Sequence, residues 1–197
     1  MLDNEAEADL LQRASHGDEG AFLRIYERHR TPIFRFAARL LGSTTLAEDV
    51  TQECFLSAIR KPGMYQPERA SLRTYLCAAA RHLAFRQLRR QGVEVTADAI
   101  PDDPTRPSGA AEPLQRLIDE EAQDAVRRAV ETLPPLQREA LVLFEYEEMS
   151  LADIASVAGC DVGTVKSRLH RARESLRRAL RPWLQAASAP PFEETLS

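Results

Sequence analysis

Residues 92–113 constrain the fold of this chain more than any other segment. They hold five acids, one Arg, four Pro and two Gly, and such a composition buries too little apolar surface to offset the entropy of ordering it. Any core must therefore form on either side. The segment reads as a flexible acidic linker, and the chain's 197 residues with 44% hydrophobic content suit two small lobes around it. No apolar run approaches the roughly 20 residues of a membrane-spanning helix. The first twenty residues carry six acids against one Arg, unlike a secretory signal. The expected setting is the cytoplasm, with no membrane insertion.

Charge is segregated beneath a net value of −4. Residues 60–91 contain eight Lys or Arg against Glu68 alone, and residues 164–181 contain seven against Glu174 alone. Local blocks of this kind, rather than the net charge, decide what a surface meets. Cys54, Cys77 and Cys160 are odd in number and form no CxxC pair, so the sequence predicts reduced, mostly buried thiols and no metal site. His82 stands five residues from Cys77, where surface or core placement outweighs a shared metal.

The first lobe reads as helices throughout. Leu10, Leu11 and Ala14 begin a short amphipathic segment, and Asp18 caps a second helix carrying Phe22, Ile25, Tyr26 and His29. Pro32 suits the first turn of a further helix, whose Ile33, Phe36, Leu40 and Leu41 form a stripe ended by Gly42. From about Leu46 to Arg60, Leu46, Val50, Cys54 and Ala58 share one side and Asp49, Gln52, Glu53 and Arg60 the other. Leu56 falls on that polar side, either filling a helix crossing or offering a partner surface. After a break at Pro62, Gly63 and Pro67, a helix from about Ser71 to Gln91 buries Leu72, Leu76 and Leu83. Its other faces mix Arg73, Arg81, Phe85, Arg86 and Arg89. This mixture suits stacking on unpaired bases, and equally a solvated basic face over a buried Phe85.

The second lobe carries the sharper pattern. Pro113 opens a helix through Val130, Leu133-Pro134-Pro135 breaks it, and Leu136–Glu147 forms another. Ser150 and Asp153 make a capping-box variant. Gly159-Cys160-Asp161 is a tight turn followed by a new cap. From Val162 onward, Val165, Leu169, Ala172, Leu176 and Leu180 lie within an arc of roughly 80°, with Thr164, Ser167, Arg168, Arg171 and Arg178 opposite. A capped short helix, a glycine turn and a basic amphipathic helix together predict a helix-turn-helix entering a DNA major groove. No Gly-rich phosphate loop, metal-ligand set or nucleophile–base pair points to catalysis. Asp49 and Glu53, one helical turn apart, are better read as a docking face than as a catalytic carboxylate pair.

These segments resemble the extracytoplasmic-function (ECF) group of sigma-70-type transcription initiation factors over residues 8–91 and 114–181. Leu46–Ile59 is similar to the segment that docks on core RNA polymerase. Tyr65–Leu76 and Ala80–Ala84 resemble the loop and helix that capture the −10 element, and Leu133–Glu139 with Val162–Glu174 resembles the module that reads the −35 element. Gln66, Tyr75 and His82 stand where the family carries Asp, Trp and Asn, so this chain's −10 preference is its own.

The resemblance implies an all-α fold of two helical domains: a sigma2-like domain over 1–91, the linker over 92–113, a sigma4-like helix-turn-helix domain over 114–182 and a tail over 183–197. It implies that Asp49, Gln52, Glu53 and Leu56 bind core RNA polymerase. Lys61, Tyr65, Arg69, Ser71, Arg73, Tyr75, Arg81, His82 and Arg86 would hold single-stranded −10 DNA. Thr164, Lys166, Ser167, Arg168, His170 and Arg171 would read double-stranded −35 DNA. An anti-sigma protein is an expected further partner, and no cofactor, metal or catalytic residue is expected. An alternative is a sigma-like adaptor that sequesters an anti-sigma protein without reading DNA; the retained Lys166, Arg168 and Arg171 argue against it.

Overall fold

The computed structural model describes the backbone of residues 2–95 and 116–187, and the side chains of residues 6–95 and 123–181. Among them are eight α-helices and no strand, the class expected. Residues 96–113 of the predicted linker, with Pro113, and the tail from residue 188 lie outside the described residues.

Four helices build the first lobe. α1 (Leu2–Ser15) is followed by α2 (Glu19–Leu41), which starts where the Asp18 carboxylate accepts from the Ala21 amide at 2.9 Å. α2 ends at Gly42 in the left-handed region with φ 65°, a conformation that glycine adopts without steric cost. Pro32 does not start a new helix as the sequence suggests; α2 runs straight through it. Proline removes one backbone donor, but Ile25, His29, Ile33, Phe36 and Leu40 form one buried face that only a continuous helix presents. Packing overrides the local preference. Ser43 caps α3 (Thr44–Arg60) and Ser71 caps α4 (Leu72–Arg90), with a short 3-10 turn at Pro62–Met64 between them. Ile33, Phe36, Leu40, Leu72 and Leu76 are completely buried where these helices meet. A buried pair, His29 Nε2 to Glu7 Oε1 at 2.8 Å, ties α1 to α2.

The second lobe comprises α5 (Arg116–Glu131), α6 (Pro135–Leu141), α7 (Leu151–Ala158) and α8 (Val162–Ala187). α6 is shorter than predicted, because a π turn over Val142–Tyr146 replaces its C-terminal half. The Glu147 amide donates to the Val142 carbonyl at 3.1 Å, the i to i+5 bond of a widened turn. Val142 and Leu143 stay fully buried while Glu147 reaches the first lobe. α8 passes the expected boundary at 182, so residues 183–187 are helical rather than tail.

The linker's composition suggests lobes with few mutual contacts, and here the structure differs. α4 packs on α7, α2 meets α5, α6 and the π turn, and one buried apolar cluster runs from Leu11 in the first lobe to Ala172 in the second. A linker records how two bodies are connected; it carries no information on whether their faces match.

Candidate polymerase and nucleic-acid interfaces

On α3, Asp49 and Gln52 are exposed and Glu53 is half-buried, while Val50, Cys54 and Ala58 face the core. Leu56 is 37% exposed, so it does not fill a buried helix crossing. It stands at the lip of a groove of about 630 Å³ floored by Phe22, Tyr26, Phe34 and Phe55. Tyr26 packs edge-on against Phe55 at 5.0 Å between ring centroids. Gln52, Glu48 and Arg30 also line this groove, whereas Asp49 and Glu53 lie outside it.

The second surface is the loop before α4 and α4 itself. Lys61, Arg69, His82 and Arg86 are exposed. Tyr65, expected to meet DNA, is instead 5% exposed and packs against Tyr75 at 5.6 Å. Burial pushes its phenol up to about 12, with Glu7 and Glu68 adding to the rise, and its hydroxyl lacks a hydrogen-bond partner. Tyr65 therefore braces the loop from beneath. Ser71 is occupied as the cap, accepting from the Thr74 amide at 3.1 Å. Phe85 is buried, and the Arg81 guanidinium lies over its ring at 4.7 Å. Of the two sequence readings of Phe85, the buried one holds.

The third surface is the helix-turn-helix. Ser150 caps α7 by accepting from the Asp153 amide at 3.1 Å, while Asp153 takes the Ser150 hydroxyl at 2.5 Å. Gly159, at φ 64°, turns the chain, and Asp161 caps α8 by accepting from the Thr164 amide at 2.8 Å. These bonds from Thr164, amide and hydroxyl, hold the Asp161 carboxyl below its usual range. On α8, Lys166, Ser167 and His170 are exposed, and Thr164 and Arg171 are half-buried. The Ser167 hydroxyl donates back to the Gly163 carbonyl at 3.0 Å.

Arg168 corrects the sequence reading. Placed opposite the apolar stripe by periodicity, it is only 9% exposed, with its NH1 3.9 Å from Glu139 Oε2 and 3.8 Å from Cys160 Sγ. The reason is Glu139, which lies on the inward stripe of α6 with Leu136 and Ala140 and is fully buried. A buried carboxylate must find a cation, and Arg168 bends inward to meet it. The signal was present: a lone acid on an apolar stripe calls for a partner.

Glu139 also accepts from Arg81 Nε of the first lobe. Nearby, Arg73 NH2 donates to the Glu147 carbonyl at 2.5 Å and to its carboxylate at 3.2 Å, and the Thr74 hydroxyl donates to Asp153 Oδ1 at 3.3 Å. Arg138 NH1 donates to the Leu40 carbonyl at 2.9 Å. Burial raises the Glu139 and Glu147 carboxyls above the usual carboxylate range even with arginines beside them. The desolvation cost of such buried pairs offsets much of their mutual attraction, so they add little net stability. Sequence reasoning found the arginines and missed their acidic partners.

Cys54 and Cys77 are free and buried, and Cys160 is free and half-buried. Among the described residues no cluster of His, Cys, Asp and Glu could hold a metal ion, and no helix is long and apolar enough to cross a membrane.

Comparison with known proteins bears on all three surfaces. Residues 25–93 match the family model described as Sigma-70 region 2, and residues 123–176 match that described as Sigma-70, region 4. The chain is 32% identical over 193 residues to the RNA polymerase sigma-H factor of Pseudomonas aeruginosa, covering 95% of this chain and 100% of that one. It is 34% identical over 176 residues to the ECF RNA polymerase sigma factor SigC of Mycobacterium tuberculosis, covering 88% and 91%. Among solved structures it resembles the sigma factor RpoE bound to the anti-sigma factor NepR from Bartonella quintana. That match has a TM-score of 0.61 and 25% identity, and covers 81% of this chain and 96% of the other.

Proposed function

The chain belongs to the ECF group of sigma-70 RNA polymerase sigma factors, promoter-directing initiation factors that bind core RNA polymerase and promoter DNA, and from that premise we propose a division of labour among its faces. Asp49, Gln52 and Glu53 meet basic groups of the polymerase, and Leu56 enters an apolar pocket on it. Lys61, Arg69, Arg73, Tyr75, Arg81, His82 and Arg86 hold the extruded −10 strand, with Tyr65 and Ser71 positioning the loop and helix that carry them. Stacking and charge together favour the opened strand by about 1 to 3 kcal/mol per stacked base.

At −35, Thr164, Lys166, Ser167, His170 and Arg171 face the groove, and Arg168 holds the recognition helix in place from inside. The lobes, sigma2-like over 1–91 and sigma4-like from 114, act as separate reading heads joined by the 92–113 linker. The polymerase supplies the catalysis, in the cytoplasm, and an anti-sigma protein is a further partner, a reading supported by the likeness to the sigma factor RpoE in complex with the anti-sigma factor NepR.

The observation that carries this reading is the helix-turn-helix of α7 and α8, capped at both helix starts, with Lys166, Ser167 and His170 open to solvent. Run-off transcription with purified core polymerase tests it. Promoter-specific RNA should require both components, and synthesis by the isolated chain would sink the assignment.

A further inference from the structure

The polar face of α8 does not stop where the groove-facing residues end. At about 100° per residue, Lys166, Ser167 and His170 share an arc of roughly 120° with Arg177, Arg178 and Arg181. This arc lies away from the buried Val165, Leu169 and Ala172, and all six residues on it are exposed. At about 1.5 Å per residue the stripe from Lys166 to Arg181 is about 22 Å long. A major groove is about 12 Å wide. The first turns of α8 are enough to fill it, which leaves the three arginines beyond the groove's edge, where the phosphates lie.

An ordinary solvated helix face balances its charges within the helix, as α5 does: Arg127 lies 3.0 Å from Asp124 and 3.9 Å from Glu131. α8 does not. Glu174 is the one acid in residues 164–181, and it is taken by Arg177. Arg178 NH2 donates to Ser175 Oγ at 3.4 Å, and neither Arg178 nor Arg181 forms an ion pair with an acid among the described residues. Arg177 and Arg181, one turn apart, repel each other, a repulsion that an anion set between them would relieve. Arg173 marks the edge of the stripe. Its guanidinium pairs with Glu145 at 2.7 Å and lies over the Phe144 ring at 5.3 Å, which fastens the middle of α8 to the π turn.

We propose that Arg177, Arg178 and Arg181 extend the −35 interface past the base-reading turns, holding the phosphate backbone of the flanking duplex and adding affinity without sequence preference. The proposal rests on the assignment of α8 as the −35-reading helix. Charge and continuity with that face identify the occupant. Guanidinium groups take phosphate oxygens through charge-assisted, often two-pronged bonds, and each phosphate neutralised releases counterions. Glu174 falls within the same arc and tempers the attraction by holding Arg177.

The test uses the full-length chain and a labelled, mixed-sequence DNA duplex long enough to reach past the groove on both sides, read by anisotropy between about 50 and 200 mM salt. The double variant Arg178→Gln/Arg181→Gln should lower the slope of log affinity against log salt by about two units, so that its deficit against the wild type shrinks about tenfold over that range. Lys166→Ala should lower the slope by about one unit, and the triple variant by about three. Glu174→Gln frees Arg177 and should steepen the slope by up to about one unit. Thermal unfolding of the double variant should match that of the wild type, since both side chains are exposed.

An unchanged slope in the double variant beside a lowered one in Lys166→Ala would overturn the extension and leave the −35 reading intact. The reverse pattern would keep the arginines as a phosphate anchor and overturn the assignment of the first turns of α8. A double variant that binds DNA as the wild type does but loses affinity for core polymerase would give the stripe to an acidic protein surface and overturn the proposal. Absence of duplex binding by the wild type would overturn both.

Discussion

Arg81 on α4 and Glu139 on α6 form a buried ion pair across the two lobes, although 58 residues separate them in sequence. Glu139 is fully buried and has Arg168 as its second cation. Removing one member of such a set leaves an uncompensated buried charge. Glu139→Ala should therefore cost about 3 to 5 kcal/mol, measured by urea unfolding, and Glu139→Gln, which keeps an acceptor of the same shape, should cost clearly less. A loss below about 1 kcal/mol for the alanine variant, within the range of ordinary surface substitutions, would show that the carboxylate holds nothing together.

Leu56 lies outside the core and Glu53 is half-buried. Leu56→Ala should change stability by about 1 kcal/mol or less while weakening core-polymerase binding about tenfold, as truncation of a pocket-filling anchor does. Glu53→Lys should weaken the same binding by charge. The measurement is affinity for core polymerase beside thermal unfolding, and equal affinities would return Leu56 to the status of an idle surface residue.

Lys166 and Arg168 should behave differently despite standing two residues apart. Lys166→Ala leaves the fold intact, weakens all promoters alike and lowers the salt slope of binding by about one unit. Arg168→Ala strips Glu139 of one cation and should act chiefly on stability, by about 2 to 4 kcal/mol, the larger end of single-residue effects. A promoter-library transcription assay at two salt concentrations, with urea unfolding of each variant, separates the two. A stable Arg168→Ala protein with relaxed preference at one base pair would restore base reading to Arg168.

The thiols predict an alkaline limit. Burial pushes Cys54 and Cys77 from an ordinary value of 9.0 up to about 12. Between these values the unfolded chain has lost protons that the folded chain keeps, so stability is intact below pH 9 and falls as pH rises through the window. The slope is about 1.4 kcal/mol per pH unit for each thiol. Denaturant midpoints across this range should fall less steeply in a Cys77→Ala variant, and an identical slope would contradict the assignment. At pH 8, Ellman's reagent should reach Cys160 before the other two.

Gly159 occupies the left-handed region at φ 64° and has no atom near enough to obstruct a Cβ. Gly159→Ala should therefore cost about 1 kcal/mol through backbone strain alone. Asp161→Ala, which removes the α8 cap, should cost about 0.5 to 2 kcal/mol. Thermal unfolding of the two single variants measures both, and neutral effects would mean that the turn is set by packing on α6 and α8 instead.

The sequence by itself determined the local architecture. Asp18, Ser43, Ser71, Ser150 and Asp161 cap helices, and Gly42 and Gly159 end them, because caps and left-handed turns depend on neighbours within about four residues. The same short range made the polar face of α3 and the helix-turn-helix legible. Tertiary structure decided what short-range rules do not reach: α2 continues through Pro32, α6 yields to a π turn, Tyr65 turns under its loop and Arg168 turns inward. Two of these follow from partners beyond the reach of local rules, Glu139 for Arg168 and Tyr75 with the α1 side for Tyr65. The largest decision of this kind is the meeting of the two lobes. Periodicity shows which face of a helix is polar, but whether that face meets water, DNA or a buried carboxylate is settled only when two separately readable lobes are brought together.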